Sequence, residues 1–301
     1  MIRFKVELRT ITGLLISAGR TMGRIGGADI ETMAIEKAYE CKNVPTRKRA
    51  SVRVPYIPGS SVKGRMRSLL EITLGLKLYS SDKKIWSHTL AREVYKDLTG
   101  ENKISDKEFV EELINTDLDR LYGYGAFPLN NIYKEQGNDQ LMTTLLAVLT
   151  PTSILFEDLF PNEEYVCNIF KENNLITFDD FIEDKNENRI DRITSAADPR
   201  TITRVKPGVP FNGTFSLLVF DKNSSKLGDN LRLLTTGMSL LEKTYLGAGG
   251  SRGYGRVKFT KIDVGIYDPR TATETSYKEI RSVEELSKEI ENLVKAIGVN
   301  A

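Results

Sequence analysis

The chain has 301 residues, 40% hydrophobic and 28% charged, enough apolar material for one large domain and too much for a globally disordered chain. The net charge of +2 averages over an uneven distribution, in which two acid-free basic stretches flank an acidic one. The longest apolar runs fall far short of a bilayer span and the amino terminus alternates charges, so a cytoplasmic protein with no membrane partner is expected.

The opening Ile2, Phe4, Val6 and Leu8 alternate with Arg3, Lys5, Glu7 and Arg9, the period of two of a half-buried antiparallel strand. A glycine-rich loop follows over 19–27, then a short strand over 52–57 stopped by Pro58. Gly59, Ser60 and Ser61 open an amphipathic helix over 61–74, with Val62, Met66, Leu69 and Leu70 on one face and Lys63 and Arg67 on another. Two further helices are expected over 84–98 and 107–122, the second with capping-box spacing between Ser105 and Glu108. Strands are expected over 152–159, 215–220 and 256–264, and helices over 230–241 and 283–297. The order is mixed α+β without βαβ repetition. A single domain over 1–301 is therefore drawn, with a helical insertion at 84–145 and an acidic insertion and thumb at 157–206.

Cys41 and Cys167 stand far apart, with no C-x-x-C and no histidine near either. Neither a disulfide framework nor a zinc knuckle follows, and both are read as ordinary thiols. The only histidine, His88, falls in an expected amphipathic helix and is given a helix-surface or core role.

Between residues 41 and 70 there are eight lysines and arginines and no acid, and between 243 and 262 five basic residues and no acid. Between 157 and 187 ten acids face two lysines. Basic surfaces of that kind suit a polyanion. Four stretches carry candidate chemistry. The segment 247–256 packs five glycines with Arg252 and Arg256, which permits positive φ and presents backbone N–H groups to a phosphate. It precedes a strand and lacks a Walker lysine, so it is not a nucleotide fingerprint. In the segment 55–67, a helix amino terminus, Ser60, Ser61, Lys63, Arg65 and Arg67 converge within about two turns. Gly26, Gly27, Ala28 and Asp29 present a carboxylate on the glycine loop that also carries Arg20 and Arg24; alone, such an aspartate is usually an Asx-turn or cap. The stretch 189–204, with Ile190, Asp191, Arg192 and Arg204, reads as a projecting hairpin.

In this order the four stretches resemble the backbone subunit of type III CRISPR RNA-guided complexes, of the Csm kind, within the RAMP superfamily. The resemblance covers most of the chain. It implies a modified ferredoxin-like (RRM-like) core with helical insertions, and a filament formed with copies of the chain or close paralogues and other complex subunits along a CRISPR guide RNA. It implies a thumb, here Ile190, Asp191 and Arg192, that kinks the duplex of guide and target RNA. Arg20, Arg24, Arg53, Ser60, Ser61, Lys63, Arg65, Arg67, Arg192, Arg204, Arg252 and Arg256 become the expected RNA-binding residues. Asp29 matches the aspartate on which target cleavage depends, with Mg²⁺ or another divalent cation required for cleavage only. After Asp29 the chain runs Ile30, Glu31, Thr32, Met33, where a proline or second polar anchor is expected. A non-catalytic filament subunit and a guide-processing endonuclease stay open as alternatives.

Overall fold

The computed structural model describes residues 1–20, 30–41, 49–78, 80, 84, 86–88, 117–123, 151–173, 175–220 and 225–298. The alternating amino-terminal segment forms β1 (Ile2–Thr10), with Ile2, Phe4 and Leu8 fully buried. It continues through β2 (Ser17–Arg20), β3 (Ile30–Thr32), β4 (Ala34–Glu40) and β5 (Arg49–Pro55) to α1 (Gly59–Thr73). A short α2 (Asp117–Tyr122) precedes β6 (Ile154–Phe156), β7 (Phe160–Pro161) and α3 (Glu163–Asn173). Then come β8 (Ile182–Ile190), β9 (Ala197–Val205), β10 (Pro210–Leu217), α4 (Leu227–Lys243), β11 (Val257–Asp268), β12 (Thr273–Ile280), α5 (Val283–Lys288) and α6 (Ile290–Ala296).

The central sheet runs β12-β11-β1-β10-β6, with β7 also on β10, and every neighbour is antiparallel. Taken as β1, α1, β6, β10, α4, β11, the chain traces a split β-α-β arrangement in which the fourth strand lies beside the first: a ferredoxin-like core. Met66 and Leu70 of α1 and Leu231, Leu234 and Met238 of α4 join Phe4, Phe215 and Phe259 of the sheet in one apolar cluster. Gly237 lets α4 approach closely, since a β-carbon there would press on Met66, Leu70 and Tyr122.

A second sheet, β2-β3-β9-β8, holds the β8–β9 hairpin, and β3 lies parallel to β9 with Ile30 opposite Ile202. β4 and β5 form a separate hairpin.

Several elements differ from expectation. Of the strand read over 152–159 only β6 forms, with β7 beginning after it, because Glu157 and Leu159 hydrogen-bond instead with Thr214 and Ile57. The helix read over 283–297 is two helices meeting at Glu289. The acidic stretch is woven into the core: Leu159, Val166, Phe170 and Phe181 are buried in it. The two cysteines are not thiols. Cys41, just after β4, and Cys167 on α3 form a disulfide with a Cα–Cα distance of 5.4 Å, which the 126-residue separation concealed in the sequence. His88 is not in a helix: its Nδ1 lies 2.7 Å from the Lys77 carbonyl, and its own carbonyl accepts a hydrogen bond from Arg67. The helix expected over 107–122 is described only as α2; that over 84–98 lies almost wholly outside the described residues. None of the described helices is long and apolar enough to cross a membrane.

Candidate nucleic-acid interface

The glycine-rich loop has the conformation its composition predicts. Gly247, Gly249, Gly253 and Gly255 all have φ between 73° and 84°. Its amides are used differently from the expected phosphate cradle. The N–H groups of Ala248 and Gly255 donate to the Leu15 and Gly13 carbonyls, and those of Arg252, Gly253 and Tyr254 donate within the loop. The loop is therefore docked on the segment just after β1, and its two arginines face outward: Arg252 and Arg256 are both exposed.

The helix amino terminus is also engaged. The Gly59 N–H donates to Asp158 Oδ1 at 2.8 Å, so a carboxylate from the β6–β7 connection occupies the positive end of α1. A β-carbon on Gly59 would strike the Phe156 and Glu157 carbonyls, so only glycine fits there. Ser60 is exposed and Ser61 is half-buried.

The cations of α1 divide into distinct roles. Arg67 is turned inward, donating to Glu71 at 2.8 Å, Asp119 at 2.6 Å and the carbonyls of Gly123 and His88. Asp119 is fully buried, and burial raises its pKa against the opposing pull of Arg67 and His88. The expectation that Arg67 meets RNA is corrected: it is a buried structural ion pair joining α1 to α2, because two carboxylates and two carbonyls take up its donors. Arg65 donates to the Tyr245 carbonyl at 2.9 Å and stacks its guanidinium on the Tyr245 ring at 4.0 Å. Gly250 packs against the same ring, so α1 and the glycine-rich loop lie side by side. Lys63 is half-buried, and burial together with the nearby Arg67 lowers its pKa.

The β8–β9 hairpin carries the remaining cations. Arg192 sits exposed at its tip. There Asp191 Oδ1 accepts the N–H groups of Ile193 at 2.9 Å and Thr194 at 2.7 Å, and the Thr194 hydroxyl. Those bonds hold the Asp191 carboxyl below its usual range and fix the turn, in which Ser195 has a φ of 56°. Ile190 and Ile193 stand out from the tip, Ile193 at 93% exposure. Arg204, nearer the base, is paired with Glu183 at 2.7 Å and lies over the Tyr254 ring. A β-carbon on Gly13 would collide with the Arg204 guanidinium.

Arg53 on β5 is partly exposed, over the Phe178 ring at 4.9 Å and 3.9 Å from Glu31. Arg20 pairs through its backbone with Ile30, and its side chain lies outside the description. Arg24 and Asp29 lie outside the described residues. The following segment is placed: Met33 donates its N–H to the Ile16 carbonyl, and Tyr56 donates to the Met33 carbonyl. The structure thus brings the glycine-rich loop, α1, the 30–33 segment and the hairpin base into one neighbourhood. Sequence reasoning missed the roles of Tyr245, Tyr254, Lys185, Glu187 and Arg200; the mixed charges of 183–187 were a signal for Lys185 and Glu187 alone.

The profile describing the RAMP superfamily matches residues 7–258, most of the chain. The chain belongs to the RAMP superfamily. RAMP relatives include a Streptococcus thermophilus protein named CRISPR system Cms endoribonuclease Csm3, 26% identical over 283 residues, covering 93% of this chain and 98% of that protein. A Methanothermobacter thermautotrophicus protein of the same name is 30% identical over 258 residues, covering 86% of this chain and 83% of that one. The crystal structure of Methanopyrus kandleri Csm3 shares the RAMP fold with a TM-score of 0.51 at 19% identity, covering 100% of this chain and 98% of that one.

Proposed function

We propose that this chain is a backbone subunit of a type III CRISPR RNA-guided complex, binding guide RNA in a filament and cleaving bound target RNA in a metal-dependent reaction through Asp29. The observation that carries the reading is the docking of the glycine-rich loop, with its exposed Arg252 and Arg256, beside α1, the base of the hairpin and the segment that follows Asp29. The names of the RAMP relatives support the ribonuclease part.

The open face of the central sheet supports a loop-based interface. Single-stranded RNA on an RRM-like sheet stacks on aromatic side chains. Here β1 offers Arg3, Lys5, Glu7 and Arg9, and Arg3 and Lys5 are paired with Glu274 at 2.7 and 2.8 Å. Guide RNA is assigned instead to Arg252, Arg256, Arg53, Ser60 and Lys63, with Arg20 and Arg24 from the adjoining loop. Such contacts are electrostatic, accept many sequences and weaken steeply with salt. The hairpin, with Ile190, Asp191 and Arg192 at its tip, acts as the thumb against the duplex.

No three carboxylate, histidine or cysteine side chains among the described residues are grouped to hold a metal ion. Magnesium is commonly held by one or two carboxylates together with substrate phosphates and water, which is what Asp29 and a bound RNA would offer. Bound there, the ion would stabilise charge on the scissile phosphate. Asp29 would also accept the proton of an attacking 2′-hydroxyl.

The test is cleavage of guide-complementary RNA by the assembled complex with Mg²⁺, comparing wild type with Asp29→Ala. Regularly spaced products lost in the variant, with guide binding retained, are expected. Identical products from both would move the active site elsewhere and leave the chain a scaffold.

A further inference from the structure

We propose that Tyr254 is a positioning residue that fixes the projecting hairpin relative to the glycine-rich loop, so that target placement, and not guide affinity, depends on its hydroxyl. The functional half of this proposal rests on the RNA-guided reading above. Tyr254 is 1% exposed and belongs to the loop, yet nearly all its polar partners belong to the hairpin. Its hydroxyl donates to Glu187 Oε1 on β8. Lys185 of β8 and Arg204 of β9 each lie 4.4 Å from its ring centre, so the hairpin's two strands close on it.

Neighbouring glycines make room for this arrangement. A β-carbon on Gly249 would run into the Tyr254 ring, and one on Gly13 into Arg204. Glu187 is held in turn by Arg200 at 2.7 Å and lies 3.7 Å from Arg252. The Tyr254 hydroxyl, followed by Arg200 and Arg252, keeps the Glu187 carboxyl below its usual range, while burial and the adjacent carboxylate push the Tyr254 hydroxyl up to about 12. The hydroxyl thus stays a donor, and Glu187 an acceptor, throughout the neutral range. β8 has no fully buried residue. On β9 burial is confined to the base, at Ile202, Thr203 and Val205; with so little apolar burial beyond them, the hairpin's angle depends on such polar ties.

The experiment places spin labels on the full chain at Ile193→Cys, on the exposed hairpin tip, and Arg270→Cys, on the exposed β11–β12 turn, and measures their distance distribution. Tyr254→Phe keeps the ring and its cation contacts but removes the hydrogen bond; Glu187→Gln keeps an acceptor for the hydroxyl. A distribution broadened at least twofold by Tyr254→Phe and kept near the wild-type width by Glu187→Gln is expected. In the assembled complex Tyr254→Phe should slow cleavage of saturating target about tenfold, since small misplacements cost rate steeply, with guide affinity within about twofold of wild type. An unchanged width, or a broadened one with unchanged target cleavage, overturns the proposal. Should the wild-type complex bind guide but cleave nothing, the catalytic part of the reading above fails on its own, while the widths still report on positioning.

Discussion

The central β1 and the hairpin strands β8 and β9 are each nine residues long, yet they are secured in different ways. β1 buries every second side chain between two neighbours and beneath two helices. β8 buries none and β9 only Ile202, Thr203 and Val205 near the base; beyond them the hairpin is tied by Glu187–Arg200 and the Tyr254 hydroxyl, with Glu183–Arg204 at the base. Apolar area is cooperative and insensitive to salt, whereas exposed ion pairs contribute little each and are screened. Global stability is accordingly assigned to the central sheet, and adjustable geometry to the hairpin. That division suits a subunit whose core holds a shape while its projection meets a duplex.

The contrast breaks most visibly at Phe215, fully buried on β10 against Phe156 and Phe259. Phe215→Ala should lower unfolding free energy by about 4 kcal/mol in urea titration, with the hairpin-tip spin-label mobility of the folded fraction unchanged. A loss below about 1 kcal/mol would mean that the central cluster does not carry the stability.

Next is the disulfide. Closing a loop of 126 residues, it should stabilise by up to about 5 kcal/mol, so Cys41→Ala with Cys167→Ala should move the urea midpoint down. Reductant should reproduce that shift in wild type and leave the double variant where it is. Equal midpoints for wild type with and without reductant would deny the bond a role in stability.

The smallest effect belongs to the hairpin tip. The folded Asp191 carboxyl titrates below its unfolded value, so its contribution is present above the unfolded pKa and is lost as pH falls through the folded one. The protection of the Ile193 and Thr194 amides, their exchange relative to the intrinsic rate at each pH, should fall over that descent. Asp191→Ala should show the faster exchange at neutral pH with an unmoved urea midpoint; exchange as slow as wild type would mean that the turn is held by its backbone alone.

Local signals were legible where periodicity or glycine content forces a conformation. The alternation of 2–8 became β1, the helical spacing of Val62, Met66 and Leu70 became α1, and the glycines of 247–255 adopted positive φ. The charged stretch 157–187 misled because ten acids drew attention from Val166, Phe170 and Phe181, whose burial makes α3 and its flanks part of the core. Arg67 illustrates the same limit: its helical face was visible, but the carboxylate of Asp119, 52 residues on, decides that it points inward.

By itself, then, the amino-acid sequence determined the mixed α+β class, the family resemblance and the cationic loops, since each rests on spacing within a few residues. Only the tertiary structure decided the pairing of Cys41 with Cys167, the seating of Asp158 on the α1 terminus and the closure of the hairpin on Tyr254. The physical reason is common to all three: a disulfide, a borrowed cap and a buried hydroxyl each need one distant partner within bonding reach. That reach is set by how the sheets and helices pack, on which short-range patterns are silent.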